Sequence, residues 1–167
     1  FLSLTIGTHE TLSIYMVTFF WELSAYQIGF LIINNIIGVH VGFFLAARLH
    51  ERFDKRWTIA LSAIGLSVFW SMGVNLALLG VAPTNGSWTL VGFIIILGSF
   101  SSFFGAVLNI SVMSALADIA DQHELDSGLR LEGIFYSARA FFSKAMIAVG
   151  HIVAGLALQY YVMLPPK

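Results

Sequence analysis

The chain has 167 residues, of which 58% are hydrophobic and 10% charged, with a net charge of −1 and no cysteine. An ordinary soluble domain is about 45–50% apolar and about 25% charged, so there is too little charge here to clothe a soluble sphere. The near-neutral balance leaves no basic footprint for a nucleic-acid partner, and without thiols there is no disulfide framework, thiolate nucleophile or Cys-based metal site.

About 20 apolar residues cross a hydrocarbon core about 30 Å thick. Five stretches reach that length, giving transmembrane spans at about 1–21, 28–47, 57–81, 90–116 and 133–163. The expected fold is an all-α polytopic membrane protein with five transmembrane helices in one domain, 1–167. Residue 1 is Phe, already inside an apolar run with no charged segment or cleavage site before it. No signal peptide is therefore read, and the chain is expected to be a piece of a longer one.

The first span holds a polar island, "GTHETLS" (Gly7 to Ser13), with an acid at Glu10. Glu10 lies eleven residues from Trp21 at the span's end, about 16 Å deep at the helical rise. His9 beside it reads as a packed or capping group. The separator Glu22–Gln27 is short and carries no Lys or Arg. In the second span, Asn34, Asn35 and His40 read as interhelical hydrogen-bond partners, and Gly38 with Gly42 forms a small face suited to close packing.

The next separator, "RLHERFDKR" (Arg48–Arg56), holds four cations, Arg48, Arg52, Lys55 and Arg56. After the third span, "APTNGS" (Ala82–Ser87) reads as a turn in which Pro and Asn-Gly supply the backbone angles. Asn85-Gly86-Ser87 also matches a glycosylation acceptor pattern, but the turn is the preferred reading. The fourth span carries Asn109, about 13 Å from Asp118 by helical rise and fit equally for structural or ligand contact.

Beyond it, "ADIADQHELDSGLRLEG" sets Asp118, Asp121 and Glu124 at three-residue spacing, followed by Arg130 and Glu132. Acids at a helix C-terminus oppose the helix dipole, so they call for outside cations, and Arg48–Arg56 is the available supply. The expectation is a set of ion pairs that forms in one conformation and breaks in another, with a solvated turn as the plain alternative. The Lys and Arg excess puts 48–56 and 118–132 on the cytoplasmic side, opposite Lys167. Trp21, Trp57, Trp88 and Tyr160–Tyr161 fall near span ends, where amphipathic rings anchor.

The last span is "RLEGIFYSARAFFSKAMIAVGHIVAGLAL" (Arg130 to Leu158), with Arg139 and Lys144 inside it and His151 read as packing. Lys144 is twelve residues past Glu132, about 18 Å and near the midplane. Arg139 is shallower, about 10 Å in, and long enough to snorkel. Ionisable groups in a span face a protein interior or an aqueous cavity. Glu10 and Lys144 are therefore expected at equal depth, either paired or facing one hydrated cavity.

The segment "MSALADIADQHELDSGLRLEGIFYSARAFFSKAMIAVGHIVAGLAL" resembles the tenth and eleventh helices of glycoside–pentoside–hexuronide:cation symporters, the melibiose-carrier-like branch of the major facilitator superfamily. Ala117-Asp118, Asp121, Glu124, Arg130, Glu132, Tyr136-Ser137 and Lys144 carry the resemblance. "LAARLHERFDKR" resembles the basic loop between that family's eighth and ninth helices. The resemblance implies a partial C-terminal bundle, helices seven to eleven of twelve. It also implies a sugar or glycoside-like solute carried with Na⁺ or H⁺ by alternating access in a bacterial cell membrane.

On that basis Lys144, Glu10, Asn109 and Tyr136 are the candidate substrate and cation cavity. Asp118, Asp121, Glu124, Arg130, Glu132, Arg52 and Arg56 are the candidate cytoplasmic gate. No cofactor, catalytic residue or resident metal is expected, and the coupling ion would be held mainly by the absent N-terminal half. The partners are the bilayer, that half, the final helix and a small polar solute. Where the melibiose carrier has a sugar-contacting tryptophan this chain has Asn109, so other organic or lipid-like solutes stay open. Two rival readings are a transport-dead sensor or scaffold and an intramembrane metal enzyme using His9-Glu10 or Asp118, Asp121 and Glu124.

Overall fold

The computed structural model describes residues 2–162, with side chains to residue 160. Phe1, Met163 and Lys167, which served as a span start, a span end and the outer cation, lie outside the described residues, as does the side chain of Tyr161. The described chain is helical: α1 (Leu2–Tyr15), α2 (Ala25–Phe30), α3 (Ile32–Arg52), α4 (Lys55–Leu78), α5 (Trp88–Ser127) and α6 (Glu132–Ala157). Wider π-type turns extend α1 through Met16–Phe20 and α6 through Leu158–Val162. Four stretches, Ala25–Arg52, Lys55–Leu78, Trp88–Ser127 and Glu132–Tyr160, are long and apolar enough to cross a membrane. The first helix, expected from sequence to be a fifth span, is not among the four; α1 is 14 residues long and carries the polar island at its middle.

The helix ends follow from local chemistry. Ser24 and Gln27 cap α2 reciprocally: the Gln27 amide N–H donates to Ser24 Oγ at 3.3 Å, and the Ser24 amide donates to Gln27 Oε1 at 2.9 Å. Gln27 then donates from Nε2 to the Gly86 carbonyl at 2.8 Å, joining two chain turns. At the end of α4, Gly80 takes φ +73°, the Val81 N–H reaches Leu76 O and the Gly80 N–H reaches Ala77 O. This pairing closes a helix by satisfying its last carbonyls.

The fourth span was expected to end at 116, but α5 runs on to Ser127. Lipid-length counting marks where apolar side chains stop, not where backbone hydrogen bonding stops. Ala117 to Ser127 contains no Pro or Gly, so nothing breaks the helix until Gly128, which adopts φ +71° and donates to Glu124 O at 2.8 Å. Asp118 therefore sits inside a helix rather than at its C-terminus.

The chain divides into two compact units, Phe1–Trp21 with Ala120–Lys167, and Glu22–Ile119. In the second, α3 packs on α5 through Gly38 and Gly42, as the small-residue face foretold. A Cβ on Gly38 would lie 2.3 Å from Ser99 O, and one on Gly42 would lie 2.8 Å from Ala106 Cβ. Phe69 of α4 stacks on Phe100 and Phe104 of α5, with ring centroids 4.9 and 5.7 Å apart. Leu90, Val107 and Ser111 are the largest fully buried side chains among the described residues. Of the expected aromatic anchors, Trp57 and Trp88 are exposed, whereas Trp21 is buried.

In the first unit α1 and α6 lie side by side and parallel. Ser3 meets Ser143, with their hydroxyl oxygens 3.1 Å apart, Gly7 meets Ile147, and Thr11 meets His151, each pair 140 positions apart. Close approach is possible because both helices present a glycine at the crossing. A Cβ on Gly7 would stand 2.2 Å from Ile147 O, and one on Gly150 would stand 2.4 Å from Leu4 O. Thr8 Oγ1 donates both to Leu4 O at 3.0 Å and to Gly150 O at 3.2 Å.

Candidate functional site

The parallel register decides which polar residues of α1 and α6 can meet. With an offset of 140, Glu10 is level with Gly150 and Lys144 is level with Leu4. Glu10 thus stands six residues beyond Lys144, about 9 Å along the axis at the helical rise. The expected equal depth is corrected on this point. It came from counting inward from opposite ends of two spans, where errors at both ends add.

The Glu10 carboxylate reaches His151 instead: Oε2 lies 3.8 Å from Nε2. The other ring nitrogen, Nδ1, is 2.7 Å from Thr11 Oγ1. His151, read from sequence as packing, is thus the residue that meets the acid. The i-to-i+140 spacing that makes this pair exists only after the two helices dock, so no local pattern announces it. Among the described residues Lys144 makes no ion pair, and its side chain is exposed. Arg139 and Tyr136 are half-buried on α6, and Asn109 is exposed on α5.

A second group lies where α3 gives way to α4. Asp54 caps α4 by accepting from the Arg56 amide at 3.3 Å, and Lys55 is the first helical residue. Its Nζ donates to Asp118 Oδ2 of α5 at 2.6 Å, with side chains 35% and 61% exposed. Of the four loop cations, Arg48 and Lys55 were missing from the candidate gate, yet Lys55 holds the acid. Arg52 and Arg56 are exposed and, among the described residues, join no ion pair, and the same holds for Asp121.

Nearby, Ser111 Oγ donates to Val107 O at 2.7 Å and lies 2.7 Å from His50 Nε2. While the single hydroxyl hydrogen of Ser111 is given to Val107 O, its oxygen is left to accept from a protonated His50 Nε2. In the other unit Arg130 sits between Glu124 and Glu132, with Nε 4.0 Å from the first carboxylate and Nη2 3.9 Å from the second. At these distances, and with Arg130 74% exposed, the triad is loose. His123 meets Phe135 edge-on at 5.5 Å beside it. Among the described residues no three His, Asp or Glu side chains gather as a metal site.

Long apolar helices with ionisable groups inside them are those of a polytopic membrane protein. A family model described as MFS/sugar transport protein matches residues 1–166. The chain belongs to that family and so to the major facilitator superfamily, and its helices fit a partial bundle of that fold. No curated protein and no solved structure matches it.

Proposed function

We propose that the chain is part of a cation-coupled symporter that carries a sugar or glycoside-like solute with Na⁺ or H⁺ by alternating access. It would belong to the melibiose-carrier-like branch, with residues 1–167 as one transmembrane domain in a bacterial cell membrane and 48–56 and 118–132 cytoplasmic. It would work with an N-terminal helical bundle and a final helix of the same protein. The observation that carries the reading is Lys144, an exposed ammonium twelve residues into α6, a helix otherwise fit to cross lipid. Such a charge is costly against acyl chains and is stable where water or an acid from another element receives it. A cavity between two bundles supplies both.

In this reading Lys144, Glu10, Asn109 and Tyr136 face the solute and cation path. A midplane cation couples two ligands when each changes what it pairs with, because each ligand then has a different affinity in each state. The gate elements in this reading are, in one unit, the Lys55–Asp118 bridge with Arg52 and Arg56 and, in the other, Arg130 with Asp121, Glu124 and Glu132. The test is reconstitution of the whole carrier. A thermal-shift screen against sugars, with and without Na⁺, is expected to reveal a stabilising sugar, and vesicles should accumulate it down an imposed Na⁺ or H⁺ gradient. Equilibration without accumulation under both gradients would remove the symport reading.

A further inference from the structure

We propose that the groove along α3 that takes in Asn34, Asn35 and His40 is a binding site for an uncharged, hydroxyl-rich solute. The site is argued from its own geometry, and only its use in transport rests on the symport reading above.

The groove has a volume of about 480 Å³, and its walls include Ile32, Ile36 and Val39 beside Asn34, Asn35 and His40. These polar groups lie deep in the span Ala25–Arg52. Asn35 is ten residues from Ala25 and His40 twelve from Arg52, about 15 and 18 Å inside at the helical rise. A polar group without a partner is costly against acyl chains, so residues at this depth need company.

The structure does not supply that company from neighbouring helices, as was expected. Among the described residues the side chains of Asn34 and Asn35 make no hydrogen bond, and that of His40 bonds within its own helix. No side-chain nitrogen or oxygen among the described residues is both buried and without a partner. The two amides therefore open into the groove. Asn34 packs on α5 without bonding to it: a Cβ on Gly98 would lie 2.5 Å from Asn34 Nδ2, so the glycine leaves the amide its place. His40 Nδ1 is 2.7 Å from Ile36 O. A carbonyl only accepts, so Nδ1 carries the hydrogen, and in the neutral ring Nε2 is left as an acceptor.

The span is also interrupted beside the groove. Where α2 gives way to α3, the Leu31 N–H reaches Ile28 O at 3.0 Å and the Asn34 N–H reaches Leu31 O at 3.2 Å. Both are three-residue reaches, tighter than those of an α-helix. Irregular backbone at membrane depth is tolerated where it lies within protein or lines a wet cavity.

The lining names the ligand's chemistry. It holds no Lys, Arg, Asp or Glu, so it has no charge to select an ion. Amides donate and accept, and the His40 Nε2 lone pair accepts, which suits hydroxyl groups, since these do both. Asn35 and His40 are five residues apart, about 140° around the helix, and stand on either side of the apolar strip Ile32, Ile36 and Val39. A sugar ring fits this pattern, with its C–H face on the strip and its hydroxyls at the flanks. Few polar groups on an apolar lining is how small-molecule sites are built.

The test begins with Ile36→Cys, which sets a thiol on the groove in a chain that has no cysteine. In the whole carrier, with cysteines elsewhere replaced, this thiol should react with a water-soluble maleimide. At least one of glucose, galactose, xylose, sucrose and melibiose should slow the reaction several-fold. An unreactive thiol means a dry groove and overturns the site, and so does a reaction that none of the five sugars slows. Asn35→Leu and His40→Phe keep bulk and remove hydrogen bonding. Each should weaken the protecting sugar about 3- to 10-fold, as for one lost hydrogen bond, with the sugar-free thermal midpoint held or raised. Wild-type affinity in both overturns the site, and a fall in the sugar-free midpoint with it assigns these side chains to a neighbouring helix. Protection and weakened affinity without accumulation under any gradient support the site and remove the symport reading. Gradient-driven accumulation at wild-type affinity in both variants leaves that reading intact and overturns the site.

Discussion

Lys55 and Asp118 are joined across α4 and α5 by a 2.6 Å bridge, between residues 63 positions apart. Asp118 stands within α5, one turn before Asp121, and Lys55 opens α4 directly after its cap at Asp54. The cap fixes where α4 begins and hence where Lys55 points, which is why this cation meets the acid.

Because both partners are partly exposed, the bridge contributes little to stability, on the order of 0–1 kcal/mol. Lys55→Gln and Asp118→Asn should shift the thermal midpoint of the carrier only slightly while slowing uptake. The exchanged pair Lys55→Asp with Asp118→Lys should recover most of the rate. Wild-type uptake in both single variants would show that the bridge gates nothing.

Gly7 has no room for a side chain against Ile147 O, whereas a Cβ on Gly29 of α2 would meet nothing within 4 Å. Gly7→Val should separate α1 from α6 and destabilise the protein by about 1–3 kcal/mol or more. Gly29→Ala should be neutral or stabilising by about 0.5–1 kcal/mol through helix propensity. Thermal unfolding in detergent reads both. Equal midpoints for the two variants would contradict the close α1–α6 contact.

Gln27 is 6% exposed and uses its side chain at both ends, accepting from Ser24 and donating to Gly86 O. Gln27→Ala removes the cap partner and leaves the Gly86 carbonyl short of a donor, at a cost of about 1–3 kcal/mol. Gln27→Glu keeps the acceptor for the Ser24 amide but sets a carboxylate against the Gly86 carbonyl, so it should not restore the wild-type midpoint. Full recovery by Glu would mean that the link to Gly86 adds nothing.

Lys144→Gln should abolish gradient-driven accumulation while the carrier still inserts and folds, and Lys144→Arg should retain part of it. Wild-type accumulation in Lys144→Gln would retire the coupling role. A double-mutant cycle should show stronger coupling between Glu10 and His151 than between Glu10 and Lys144, because only the first pair is in contact.

Much of the architecture is written locally. Apolar runs of bilayer length, the Asn85-Gly86 turn and the Gly38–Gly42 face each depend on residues a few positions apart. They were legible for that reason. The end of α5 was local too, signalled by Gly128, but the loss of apolar character at Leu116 masked it.

The candidate site was legible only as a set of polar residues in costly places, Glu10, Lys144, Asp118 and Glu124 among them. Which of them meet was decided by tertiary structure. A helix presents a different residue every 100° or so, and one turn of sliding exchanges every partner. The 140-position register of α1 against α6, locked where Gly7 and Gly150 let the backbones touch, gave Glu10 to His151 rather than to Lys144. The start of α4 gave Asp118 to Lys55. Composition decides that such charges must find company inside a membrane, and helix docking decides whose.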